Sequence, residues 1–218
     1  MKKNLYVGKM AAMVLVSMML ILVVGCSKKE APQAPTHLTA ELNDDCIQLS
    51  WRRVPNADFY RITVGFQIRD QYNEMWGDIY EVLLCETSDH TYNDLYPFEG
   101  MNYYKIEAVN EYGSSPCSEV SCDYPNSGNR PHFNLYPNPA MDCVTIEVNS
   151  HGMNGHAMNN YIIVESILGE VVFDTEVAGV IGMGTYTLNT AQFNAGIYLM
   201  HVNTEDGEAV KRFVIRCV

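Results

Sequence analysis

Seven cysteines are the residues with the most chemistry to offer, and their placement divides them into two groups. Cys26 stands directly after an apolar run, Met10 to Val24, that follows Lys2, Lys3 and Lys9. A charged start and a greasy continuation form the pattern of an export signal, slightly short for a comfortable membrane-spanning helix. The thiol at its end is therefore placed where a lipid could be attached. The other six are Cys46, Cys85, Cys117, Cys122, Cys143 and Cys217, an even number in an exported chain, so disulfides are permitted. If pairing stays within each half of the chain, Cys143 pairs with Cys217 and three connectivities remain open for the first four. No Cys-x-x-Cys occurs, which argues against a thiol-redox or zinc site.

Two other groups could hold a ligand. Tyr72, Met75 and Trp76, in the stretch Gln67 to Gly77, could stack on a sugar ring or anchor a protein contact; the competing reading has Trp76 capping the core or starting the next strand, Ile79 to Leu84. His151-Gly152-Met153-Asn154-Gly155 is echoed by His156-Ala157-Met158-Asn159-Asn160. Imidazole and thioether suit copper(I), but the Gly and Asn content favours a plain solvated loop, so neither a metal nor another cofactor is expected. His37, His90, His132 and His201 stand singly and read as structural. The chain has no nucleophile elbow, phosphate loop, His-Glu-x-x-His or dinucleotide glycine pattern, and Asp44, Asp45 and Asp123 fall at turns or strand ends. The expectation is a protein that is not an enzyme.

The elements that must position these groups are strands. Ile47, Leu49 and Trp51 share one face, as do Tyr60, Ile62 and Val64, and Tyr104, Ile106 and Ala108. Short alternating runs separated by polar turns continue to about Tyr124, the spacing of an antiparallel sandwich. After a polar stretch, alternation resumes with Val144, Ile146 and Val148, then at 161–164, 170–174, 185–188, 197–202 and 210–215. The fold class is therefore all-β: two small antiparallel β-sandwiches behind an N-terminal signal helix. The divisions are 1–25 signal, 26–34 tether, 35–124 first sandwich, 125–132 linker and 133–218 second sandwich. Loss of the signal removes three lysines and no acid, taking the formal charge from −12 to −15, which repels phosphate backbones and excludes nucleic acid as a partner.

Three resemblances add to this reading. Val23-Val24-Gly25-Cys26 resembles the lipobox of bacterial lipoproteins, which implies cleavage before Cys26, lipidation of its sulfur and attachment to a membrane. Leu49-Ser50-Trp51, then Pro55 and Tyr60, and later Ile106-Glu107-Ala108-Val109-Asn110 with Gly113 and Ser115, resemble a fibronectin type III domain. That resemblance implies adhesion, protein or glycan binding, or a spacer role. It departs from the family at Asn102, where a corner tyrosine is usual, in the long aromatic stretch from Gln67, and in lacking Arg-Gly-Asp after Asn110.

Leu135-Tyr136-Pro137-Asn138-Pro139-Ala140, then Ala195-Gly196-Ile197-Tyr198 and Lys211-Arg212-Phe213-Val214-Ile215, resemble the C-terminal sorting domain of the bacterial type IX secretion system. The resemblance implies recognition by the translocon through Tyr136, Pro137, Asn138, Pro139, Gly196, Tyr198 and Lys211. It also implies removal by a sortase-like peptidase near 125–132 and attachment of the upstream part to surface lipopolysaccharide. The two prolines cannot donate ladder hydrogen bonds, which puts the opening segment at a sheet edge, open to a receptor. Gly196 is expected to free the backbone for a tight approach to the penultimate strand. The tail Arg216-Cys217-Val218 and the insertion Ser150 to Asn160 depart from the usual pattern. The expected protein is secreted or surface-displayed by a Gram-negative bacterium; the alternatives are a lipid-anchored structural subunit of an envelope assembly and an extracellular glycan-binding module.

Overall fold

The structure, a computed structural model, describes residues 29–69, 75–125, 132–149, 159–178, 183–204 and 207–216. The signal segment, Cys26, Tyr72, the His/Met repeat through Met158, and Cys217 lie outside the described residues. Every regular element among the described residues is a strand.

The N-terminal part is a two-sheet sandwich. β1 (Thr36–Asn43), β2 (Cys46–Arg52) and β5 (Thr91–Asp94) form one antiparallel sheet in the order β1-β2-β5. The second sheet runs β4-β3-β6, from β3 (Phe59–Arg69), β4 (Met75–Thr87) and β6 (Gly100–Asn110), with β7 (Gly113–Ser114) and β8 (Ser118–Tyr124) both paired to β6. The three predicted inward triplets, Ile47/Leu49/Trp51, Tyr60/Ile62/Val64 and Tyr104/Ile106/Ala108, are all buried in one core. Each such aliphatic or aromatic side chain contributes about 1.5–3 kcal/mol on burial, which drives the two sheets together. The intervening positions face outward and are charge-paired across strands: Arg61 lies between Glu86 and Glu107, and Lys105 between Glu81 and Glu119.

Two expectations change here. The stretch from Gln67 to Gly77 is not a long loop, because Arg69 of β3 pairs with Met75 of β4. Met75 and Trp76 are thus strand residues, Met75 paired with Arg69, and Trp is among the residue types enriched in strands. Asn102, the departure from the fibronectin pattern, does corner work of its own. It is fully buried; its Oδ1 accepts from the Phe98 amide at 3.0 Å, and its Nδ2 donates to the Phe98 and Gly100 carbonyls at 2.7 and 3.0 Å. A corner tyrosine also bonds back to upstream backbone. The shorter amide reaches its own corner and closes the 98–102 turn.

The C-terminal part repeats the architecture. β9 (His132–Tyr136), β10 (Cys143–Asn149) and β13 (Met183–Asn189) pair in the order β13-β10-β9. β11 (Asn159–Ser166), β12 (Val171–Ala178), β14 (Gly196–Thr204) and β15 (Gly207–Ile215) pair in the order β12-β11-β14-β15. Val144, Ile146 and Val148 face Ile162, Val164, Met200, Val202 and Phe213 in a second core. The β11–β12 turn closes at Gly169, whose φ of 81° favours glycine.

Asn102→Ala strands the Phe98 amide and carbonyl inside the corner. The expected loss is about 1–3 kcal/mol of stability, read as a lower urea midpoint at unchanged slope.

Candidate functional site

The sequence reading placed the function on the Tyr-Pro-Asn-Pro segment, the Gly-Ile-Tyr strand and Lys211. The structure draws the same strands into a junction between the two sandwiches, centred on residues the sequence reading did not single out.

Alternation in β15 splits its side chains between two cores. Phe213 and Ile215 point into the C-terminal core, whereas Val214 and, on β14, Ile197 join the core of the N-terminal sandwich. Arg212 lies on the Val214 face and is buried as well. Its guanidinium grips Asp94 at the end of β5: Nη1 donates to Oδ2 at 3.0 Å and Nη2 donates to Oδ1. The Asp94 carboxylate also accepts from the Tyr104 hydroxyl at 2.8 Å and the Tyr96 amide at 3.3 Å. Burial, followed by the charge of Asp94, pushes the Tyr104 phenol far above its ordinary range, so it remains a donor. The side chains of Arg212 and Asp94 are 1% and 0% exposed, so this pair is fully inside the protein.

The corner held by Asn102 supplies the rest of the junction. The Arg212 guanidinium carbon sits 5.2 Å from the centre of the Phe98 ring. Lys211 Nζ is 2.6 Å from Glu99 Oε1 and 5.4 Å from the Phe133 ring centre. A cavity of about 50 Å³ lies at this seam, lined by Phe66, Phe98, Glu99, Leu135, Lys211 and Arg212 among others. That is far below the few hundred Å³ of a small-molecule site. The chemistry of the junction is charge pairing and apolar closure.

The expected recognition residues are placed as follows. Tyr136 ends β9 half-buried, its phenol raised by burial and then by the Glu147 carboxylate. The Tyr136–Pro137 and Asn138–Pro139 peptide bonds are cis. Asn138, Pro139 and Ala140 are buried and not laid open: Asn138 Oδ1 accepts from the Val214 amide at 2.9 Å. The Ala140 amide donates to the Val214 carbonyl at 2.8 Å, and the Arg216 amide to the Ala140 carbonyl at 3.0 Å. β9, which leads into the segment, is the edge strand of its sheet as expected, while Asn138 and Ala140 spend polar groups covering β15. Tyr198 is buried beside Phe193 and Phe213, with its hydroxyl donating to the Asn194 carbonyl at 2.8 Å. Gly196 has no left-handed backbone, and a Cβ there would meet nothing nearer than Tyr198 Cε2 at 3.9 Å. Tight approach therefore does not explain this glycine.

Cys46, Cys85, Cys117, Cys122 and Cys143 are free thiols. In the first half, Cys85 on β4 and Cys122 on β8 flank opposite sides of β3 and β6. Three inter-strand steps of about 4.8 Å exceed the reach of a disulfide, whose Cα atoms lie within about 7 Å. Cys46 opens β2 on its outward face, in step with Gln48, whereas Cys122 packs on the core, so these two do not meet either. Cys143, expected to pair with Cys217, is an exposed thiol, and its partner lies outside the described residues. Burial pushes the Cys85 thiol up to about 11.

Arg212→Ala leaves a carboxylate buried without its counter-charge, and the expected cost is about 3–5 kcal/mol, measured by urea unfolding. Arg212→Lys does not restore the loss, because an ammonium cannot reproduce a two-pronged grip. In native protein at pH 8, a maleimide should label Cys143 about tenfold or more faster than Cys85, since thiolate and access are both needed. Denaturant should erase that difference; equal rates in the native state would refute the burial of Cys85.

Of the comparisons, the family match falls on the C-terminal part, and the solved structures are weak likenesses. An FN3tt variant ("Structure of FN3tt mut") is 19% identical over 44% of this chain and 98% of that one, with a TM-score of 0.33. The dimeric latent PorU of Porphyromonas gingivalis is 11% identical, covering 90% of this chain and 21% of that one, with a TM-score of 0.35. The chicken CNTN1 FN1-FN3 domains are 13% identical over 86% of this chain and 69% of that one, at 0.30. No curated protein matches the chain. Residues 134–216, the strands that build the C-terminal sandwich and its side of the junction, match the family of the secretion system C-terminal sorting domain, which implies contact with the type IX secretion system and a secreted or cell-surface location.

Proposed function

We propose that this chain is a non-enzymatic, surface-displayed or secreted binding protein of a Gram-negative bacterium, in which the C-terminal sandwich directs export and the N-terminal sandwich makes the contact outside. The observation that carries the reading is the sorting-domain match over 134–216 behind a separate sandwich of fibronectin type III strand order. Strands take up most of the described residues, and none of the nucleophile-elbow, phosphate-loop, His-Glu-x-x-His or dinucleotide patterns is written in the sequence, which supports the non-enzymatic reading. Sandwich folds of this kind host many functions, so the binding role rests on the surface.

That surface is the β3–β4 hairpin. β3 pairs with β6 only from Phe59 to Gly65, whereas its pairing with β4 runs on to Arg69 and Met75, so the hairpin extends past the sheet as a two-stranded ribbon. Ile79 and Leu83 on β4 are exposed, at 46% and 50%. Apolar side chains along an edge strand are a common basis for strand or aromatic contacts with a partner. Met75 and Trp76 are residues of β4 in the same hairpin, Tyr72 lies outside the described residues, and the occupant is a surface protein or a glycan. A second reading, a lipid-anchored structural subunit that keeps its C-terminal sandwich, is favoured by the buried Arg212–Asp94 pair, which treats that sandwich as a working neighbour.

Deleting 132–218 should abolish surface exposure in a type IX-competent host while the intact chain reaches the surface; equal exposure of both would end the export reading. Trp76→Ala should lower adhesion of the purified protein to cells or to a glycan array at least tenfold with unchanged thermal unfolding. Unchanged adhesion would move the contact elsewhere.

A further inference from the structure

The junction has the composition of a specific protein interface: an apolar centre, two aromatic contacts and paired charges. Ile197 and Val214 complete the core that Leu49, Tyr60 and Tyr104 build from the other side. Around them, Arg212 meets Asp94, Lys211 meets Glu99, and Phe98 lies under the guanidinium. Each basic group comes from β15, and each acidic group from the β5–β6 region. The signs are complementary across the whole junction, which selects one partner and one orientation.

A removable label would not be expected to own part of the core of the protein it labels. Without β14 and β15, Asp94 would lose its counter-charge, and the apolar surface around Leu49 and Tyr104 would lose its cover. We propose that the Ile197/Arg212/Val214 face of the C-terminal sandwich, with Lys211 reaching Glu99 from the opposite face of β15 at its margin, is a docking surface whose occupant is the Asp94/Phe98/Glu99 corner of the N-terminal sandwich. The contact holds when the chain is cut between the two sandwiches, and while it holds, Lys211 is masked. Cleavage of the connection therefore does not by itself discard the C-terminal sandwich. A receptor that reads this face has to displace the N-terminal corner first. The masking matters for export only on the reading of the C-terminal sandwich as the signal; the docking does not depend on it.

The test uses the full chain after its signal, with a specific protease site inserted within residues 126–131 and cut to completion under native conditions. The fragments should co-elute as one 1:1 species on size exclusion, and amine-directed labelling of Lys211 should remain low in the cut pair. Arg212→Ala or Asp94→Ala should let the fragments separate and raise Lys211 labelling at least fivefold. Glu99→Gln, a milder change, should raise the labelling alone. Separate elution of the wild-type fragments overturns the proposal, and that result needs no variant to fold. Export of the uncut chain is scored independently in a type IX-competent host: co-elution without export keeps the docking and removes the signal, and export with separated fragments does the reverse.

Discussion

A carboxylate with no exposed surface must find its solvation inside the protein, and the junction of this molecule is arranged to supply it at Asp94. Four donors converge there: two from Arg212, the Tyr104 hydroxyl and the Tyr96 amide. Attraction between buried charges roughly offsets the loss of water around them, so the pair is not primarily a source of net stability. Its effect is on geometry. A guanidinium fork and a carboxylate meet in few orientations, and the two sandwiches are held in the one that satisfies both.

Other features of the fold follow from that placement. Asn102 ties down the turn carrying Phe98 and Glu99, so the aromatic face and second carboxylate stand where Arg212 and Lys211 arrive. β15 terminates its sheet, and an uncovered terminal strand invites pairing with other chains. Here the outer amide and carbonyl of Val214 bond to Asn138 and Ala140, while the strand's Arg212/Val214 face lies on the N-terminal sandwich. One strand thus serves two cores, and the Tyr-Pro-Asn-Pro segment acts as its cover.

Much of the fold was legible because burial on one face of a strand writes itself as period-two alternation. The triplets Ile47/Leu49/Trp51, Tyr104/Ile106/Ala108 and Val144/Ile146/Val148 all lie in the cores to which alternation assigns them. The aromatic stretch after Gln67 left a loop and an early start of the next strand both open, because turn-like composition does not reveal a register that continues to Arg69 and Met75. The cysteines misled for a related reason: an even count in an exported chain permits disulfides, but strand order decides which thiols come within reach. Arg212 was hidden by its surroundings, since charge inside the run 211–215 reads as an outward face when only one sandwich is considered.

By itself the sequence determined the core-facing alternation of the strands, the all-β class and the similarity of 134–216 to a sorting domain, because local alternation and short motifs are written along the chain. Only the tertiary structure decided what those motifs touch. Asp94 and Arg212 are 118 residues apart, and no local pattern marks a pair whose partners meet across two separate folding units. Their meeting depends on the orientation of whole sheets, which is set by the summed packing of two cores.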